Sequence, residues 1–199
     1  MKKIMIVLSA VIILAAAYIS NAQGLKGLEV AFSAGGLLGD TSRDTLISGT
    51  RFKDEVEDDA LFMGRVGYLL YKDTVGIEAN IGGAANNFRR GVGGSNTDFD
   101  AGIFMFDIGP FFQFDARVIS TFINFGMGAF NFDTDNAGST TEFTIVFGGG
   151  VKYYMTDNIG FRFDMRDHIV FLNDETFWGT GAEDNIHLLE LSGGIFYQF

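Results

Sequence analysis

Two imidazoles, His168 and His187, are the only histidines in the 199-residue chain, and no residue is Cys. Thiol catalysis, thiolate metal sites and disulfides are therefore excluded. A Ser–His–acid hydrolase needs nucleophile, base and carboxylate within hydrogen-bond reach. His168 has Asp164 and Asp167 close in sequence, and His187 follows Asp184. No Ser two residues from either His completes a lipid-deacylase pattern, so both read as polar residues at a strand rim. The segment Asp133-Thr134-Asp135-Asn136-Ala137-Gly138 begins like a calcium loop. Its fifth position is Ala137, and Glu142 comes too early for the bidentate ligand. Gly91-Val92-Gly93-Gly94 lacks the Lys-Ser/Thr of a phosphate loop and lies between strands.

What remains is a set of charges set singly among apolar residues: Glu29, Arg65, Glu78, Asp107, Lys152, Arg162, Asp164, Arg166 and Glu190. The run Arg162-Phe163-Asp164-Met165-Arg166 shows the rule, with every second residue charged. Period-two alternation is the mark of a strand with two unlike faces. It recurs over eight segments: 28–38, 60–71, 75–85, 102–114, 120–132, 143–154, 159–169 and 186–199. Each is long enough to cross a bilayer at a tilt, which takes about 9–11 residues. Their connections alternate in length. Long ones run over 39–59, 86–101, 133–142 and 170–185, and short ones are Lys72-Asp73-Thr74, Asp115–Ile119 and Thr156-Asp157-Asn158. Short turns at one end and long loops at the other mark a transmembrane barrel.

Alternation alone does not say which face meets water. In a soluble sandwich the apolar face points inward, and in a membrane barrel it points out. Here the apolar face is nearly free of charge. Aromatics also gather at the short-turn ends, at Tyr68, Phe112, Phe114, Tyr153, Phe161, Tyr197 and Phe199, as an interfacial girdle would. The expected fold is all-β: a single eight-stranded antiparallel up-and-down transmembrane β-barrel. Eight strands enclose a lumen only wide enough for side chains. The nine charges, five acidic and four basic, should then form an ion-paired plug that replaces a hydrophobic core. Small residues on this face (Gly67, Gly126, Gly128, Gly148, Gly150 and Gly194) leave room for long or aromatic side chains.

Composition agrees. There are 22 Phe, 27 Gly and one Pro, a balance that favours strands over helices. Met1-Lys2-Lys3, the apolar run to Ile19 and Ser20-Asn21-Ala22 have the form of a secretory signal peptide over 1–22. The barrel domain would then be 23–199. Losing the two lysines takes the net charge from −11 to −13. A chain this acidic lacks the clustered Lys and Arg of a nucleic-acid binder. The first long loop carries seven acids against three bases, and the last adds Asp174, Glu175, Glu183 and Asp184 beside Phe171, Phe177 and Trp178. The expected reading of these loops is a solvated outer surface, with binding of divalent cations or surface proteins as the alternative.

The segments Phe147-Gly148-Gly149-Gly150-Val151-Lys152-Tyr153-Tyr154 and Asn158-Ile159-Gly160-Phe161-Arg162, with the terminal strand, resemble the small eight-stranded outer-membrane β-barrel proteins, often labelled outer-membrane protein β-barrel domain or porin family. The resemblance spans 23–199 and speaks to fold, not activity. It implies the bacterial outer membrane, reached through the periplasm, with outer-membrane lipid around a monomer. Leu191, Ile195, Tyr197 and Phe199 resemble the terminal signal read by the barrel-assembly machinery. Larger relatives carry a peptidoglycan-binding domain after the barrel; none is expected here, so cell-wall anchoring is not carried over. The expected function is structural or surface-interacting, with no catalysis and no cofactor. A narrow channel for ions or small solutes is the alternative, and a lipid-active enzyme is a distant third. The alternation further implies that Phe163→Arg on the lipid face should harm assembly far more than Arg162→Ser in the lumen.

Overall fold

Every second side chain of a strand shares a face, so each alternating segment must pair on both edges and bury one face. In the computed structural model, which describes residues 27–39, 43–47, 50–56, 59–71, 74–92, 95–116, 118–134, 138–172 and 185–199, the strands satisfy this by closing on themselves. They are β1 (Leu28–Gly39), β2 (Arg43–Ile47), β3 (Thr50–Val56), β4 (Asp59–Tyr71), β5 (Val75–Val92), β6 (Ser95–Ala116), β7 (Ile119–Thr134), β8 (Gly138–Tyr154), β9 (Ile159–Phe171) and β10 (Asn185–Gln198). All pairings are antiparallel. β1 lies between β10 and β4, and the β5–β6 pairing completes the ring. Eight strands, β1 and β4 to β10, make the closed barrel.

The closing seam runs from Glu29 opposite Gln198 to Gly39 opposite Leu188. Partner positions can be followed around the ring: Glu29, Gly67, Glu78, Gly109, Gly126, Val146, His168, Leu188. The path returns to β1 at Gly39, ten residues above its start. That stagger forces the strands to tilt, by about 40° for a barrel of this size. The short connections lie at the end where both β1 begins and β10 ends. In one of them Met155 and Thr156 donate their amides to the carbonyl of Ile159, at 2.9 and 3.1 Å. The Asn158 side chain donates to the Gln198 carbonyl at 2.7 Å, fastening that turn to β10.

The long-loop end departs from expectation. Segments 39–59 and 86–101 read as loops from sequence. β2 and β3 instead form a hairpin within the first, and β3 pairs with the upper part of β5. β5 and β6 stay paired up to Val92 opposite Ser95, so only residues 93 and 94 stand between them. β7 reaches Thr134 and β8 begins at Gly138, shortening the third long connection. All four acids of the last long loop, Asp174, Glu175, Glu183 and Asp184, lie outside the described residues, as do Phe177, Trp178 and the expected signal segment.

The faces have the membrane sense. On β9, Phe163 is 62% exposed while its neighbours Arg162 and Asp164 are buried. Phe32, Phe62, Phe104, Ile123, Ile145 and Ile195 likewise point outward. Tyr68, Phe112, Phe114, Tyr153, Phe161 and Tyr197 are exposed near the short-turn end, with Phe199 half-buried. Inside, aromatic rings lie on glycines. A Cβ on Gly150 would stand 2.6 Å from the Phe122 ring, and one on Gly160 would stand 2.5 Å from the Phe196 ring. Both positions therefore require glycine for close approach of the ring.

The lumen is not wholly polar, which corrects the expectation that charge replaces a hydrophobic core. Towards the long-loop end Leu37, Leu61, Met63, Met105, Phe130, Phe132 and Leu188 form a buried apolar cluster, joined by Ala84, Ile103, Val170 and Leu172. These residues have the same inward parity as the charges, further along the strands. The interior is thus layered along its axis: aromatics with Lys152 at the short-turn end, charges in the middle, and an apolar core towards the loops.

Candidate functional site

Strand parity delivers all nine charged residues to the inside, and each is buried. Charges removed from water need partners of opposite sign and satisfied hydrogen bonds. Arg162 on β9 meets this most fully. Its Nη1 donates to Glu29 of β1 at 3.1 Å and to Glu78 of β5 at 2.9 Å. Its Nε and Nη2 grip both oxygens of Asp164, at 2.9 and 2.8 Å. Planar two-point pairing of this kind is the strong mode for guanidinium and carboxylate. Arg166, four residues further along β9, donates to Glu78 at 2.5 Å and to Asp164 at 3.0 Å.

Arg65 on β4 extends the network to the seam. It donates to Ser33 at 2.7 Å, to Ser192 at 3.2 Å and to Glu190. Lys152 on β8 donates to Glu29 at 2.6 Å and to Gln113 at 2.8 Å. Its ammonium also lies 5.3, 5.4 and 5.7 Å from the ring centres of Phe111, Phe122 and Phe196. The Arg162 guanidinium stands 4.9 Å from that of Phe122. Cations over aromatic faces are favourable where water is excluded, so the aromatic layer also serves the charges.

Asp107 is the least tightly held of the nine. It accepts from Asn80 at 2.6 Å, and Arg166 Nη1 is 4.0 Å away. Its other oxygen, Oδ2, has no hydrogen-bond partner.

Sequence reasoning missed several members. His168 reads from sequence as a rim residue on the polar face of its strand; it keeps that face but is fully buried, 3.2 Å from Glu190 and edge-on to Phe130 at 5.2 Å. Its inward parity with Arg162 and Arg166 was the available signal. Asn80, Ser33 and Ser192 also share the parity of the charges and were passed over because they are uncharged. Glu142, assigned to a loop, is buried near the long-loop end and accepts from Thr140 at 3.0 Å. His187 read as a neighbour of Asp184. That acid lies outside the described residues, and His187 instead meets Asp167 on the outer surface at 2.9 Å.

At the seam, the Phe199 amide donates to the Leu28 carbonyl at 2.9 Å, and its ring stands 4.7 Å from Tyr197. Leu191, Ile195 and Tyr197 face outward.

Comparison with known proteins places this architecture. The model of the family described as "Outer membrane protein beta-barrel domain" matches residues 6–199. Among solved structures, Neisserial surface protein A (NspA) matches with a TM-score of 0.62 at 15% identity, over 89% of this chain and 100% of that one. The outer membrane protein OprG from Pseudomonas aeruginosa gives 0.53 at 14% identity, over 90% and 99%. The N-terminal β-barrel domain of Pseudomonas aeruginosa OprF gives 0.50 at 16% identity, over 86% and 97%. At these identities the likeness is one of fold. No curated protein matches the sequence.

The geometry revises one sequence-based expectation. Removing Arg162 leaves Glu29, Glu78 and Asp164 facing one another with less counter-charge. Breaking a buried pair in this way costs about 3–5 kcal/mol. An arginine on the lipid face costs about 2–4 kcal/mol at mid-bilayer depth. Arg162→Ala should therefore destabilise the barrel at least as much as Phe163→Arg. Urea titration in lipid vesicles, scored by the gel shift between folded and boiled protein, measures both. A loss below about 1 kcal/mol for Arg162→Ala would show that the cluster contributes little.

Proposed function

From the premise that the chain belongs to the outer membrane protein beta-barrel domain family and resides in the bacterial outer membrane, we propose that it is a sealed barrel. Its role is structural or surface-interacting, with no chemistry of its own and no path for solutes. One observation carries this reading: the lumen is filled twice over, by the charge layer around Arg162 and by the apolar core of Leu61, Met63, Met105, Phe130 and Leu188. An ion crossing the lumen would have to displace paired charges and then enter an apolar layer. The two imidazoles stand on opposite faces of the wall, which argues against a shared histidine centre.

The remaining features fit the same role. Residues 1–22 would direct export and be removed after Ala22. Leu191, Ile195, Tyr197 and Phe199 would be read by the barrel-assembly machinery, and the monomer would then sit in outer-membrane lipid. The acidic long loops would face outward, where divalent cations or surface proteins could bridge to them.

Planar-bilayer recording tests the sealed lumen. The refolded protein should give no reproducible conductance steps, and regular ohmic steps would establish the narrow channel instead. Deleting Phe199 tests the assembly signal. Outer-membrane yield should fall severalfold while protein refolded into detergent keeps its urea midpoint. Equal yield in cells would reduce Phe199 to an ordinary girdle residue.

A further inference from the structure

The closing seam between β1 and β10 is poor in side-chain contact. Through its middle Ser33 stands opposite Gly194, Ala34 opposite Gly193, Gly35 opposite Ser192 and Gly36 opposite Leu191. Cross-strand side-chain pairs stabilise a ladder beyond its backbone bonds, and a glycine supplies none. The neighbouring β9–β10 ladder is better furnished, with Met165 opposite Leu191 and Phe161 opposite Ile195. The seam also joins the first barrel strand to the last, so its formation carries the loop-closure entropy of the whole barrel.

A polar strap lies over this stretch on the inside. Arg65 of β4 stands opposite Ala31 of β1. The inward residues of β1 here, Ala31, Ser33 and Gly35, are all small, and the Arg65 side chain crosses them. It donates to Ser33 at 2.7 Å on the way and reaches β10, where it donates to Ser192 at 3.2 Å and to Glu190. Ser192 in turn donates to Glu190 at 2.6 Å, and Glu190 lies 3.2 Å from His168 of β9. The contacts form one buried line over four adjacent strands, β4, β1, β10 and β9.

This line differs from the other charge pairs in what it requires. In a sheet not yet closed, β1 and β10 are the two edges. Arg65 is then one strand in from one edge, and Glu190 and Ser192 are on the other. They meet only when the β1–β10 ladder has formed. Arg162–Asp164 lies within one strand and Asn80–Asp107 between neighbours, so neither needs closure. Arg162 also crosses the seam to Glu29, but it keeps Glu78 and Asp164 without it. Of the hydrogen-bond partners described for Arg65, only Ser33 is on its own side of the seam.

We propose that Arg65 is the clasp of the seam: reaching over β1 from β4 to Glu190 and Ser192 of β10, it holds the first strand against the last and favours the closed barrel over one parted between β1 and β10. The clasp lies where side-chain pairing is thinnest, so its loss is felt first as local opening of the seam.

Amide hydrogen exchange of the refolded full barrel in detergent micelles tests this, because it reads opening strand by strand. Seam amides in 32–36 and 191–195 are compared with those of the β7–β8 ladder in 123–127 and 145–149. In Arg65→Met the seam amides should exchange about tenfold faster than in the parent, with a change below about twofold in β7–β8. Arg65→Lys keeps a cation and should recover part of the protection. Arg166→Met loses partners on β5 and β9 but none across the seam, and should not single the seam out. Ser192→Ala removes one contact of the strap and no charge. It should quicken seam exchange about threefold, and it carries the comparison alone if Arg65→Met does not fold. Unchanged seam exchange in the Arg65 and Ser192 variants would overturn the proposal. So would equal acceleration in all strands, which would make Arg65 one more member of the general charge network.

Discussion

A single guanidinium, that of Arg162, ties β9 to β1 through Glu29 and to β5 through Glu78 while gripping Asp164 on its own strand. The rest of the interior is arranged around what that cation requires. A barrel in hydrocarbon must be closed, because unpaired backbone groups cannot be solvated there. Eight strands close around a space that only side chains can fill. Once a buried arginine occupies that space its charge must be matched, and the matching carboxylates need further cations. Arg65, Arg166 and Lys152 supply them, each from a different side of the wall or a different height.

The two neighbouring layers follow from the same need. Below the charges, the rings of Phe111, Phe122 and Phe196 exclude water and present their faces to Lys152. Glycines beneath two of those rings give the room they occupy. Above, the apolar cluster shields the charge layer from the loop end. A low local dielectric strengthens correctly paired charges and penalises unpaired ones. The layering therefore makes the network rigid and intolerant of single deletions, and it makes the lumen a poor conduit.

Much of this was legible because one rule, side-chain alternation, governs every barrel strand. Arg162, Asp164 and Arg166 lie two apart, and no register other than inward keeps them off lipid. The rule is silent where both faces are apolar. Leu61, Met63, Ile103 and Met105 alternate with apolar lipid-facing neighbours, so their inward burial left no contrast to read. The β2–β3 hairpin was missed for the opposite reason, since its residues are mostly polar. Its signal lay in charge register. Arg43 stands opposite Asp54, Asp54 opposite Arg90, Glu55 opposite Arg89 and Arg89 opposite Asp98. Opposite charges across neighbouring strands favour pairing. Gly93-Gly94 between β5 and β6 was a two-residue hairpin signal in plain view.

Charge pairing across the lumen holds this barrel together. A double-mutant cycle on Arg166 and Glu78 tests it most directly, because these residues sit on β9 and β5 and meet only inside the lumen. Unfolding free energies of the parent, Arg166→Met, Glu78→Gln and the double variant would be measured by urea titration in lipid vesicles. Pairing across the lumen should give a favourable coupling of about 1–3 kcal/mol, with the double variant less damaged than the two singles combined. Additive effects, with coupling near zero, would contradict it.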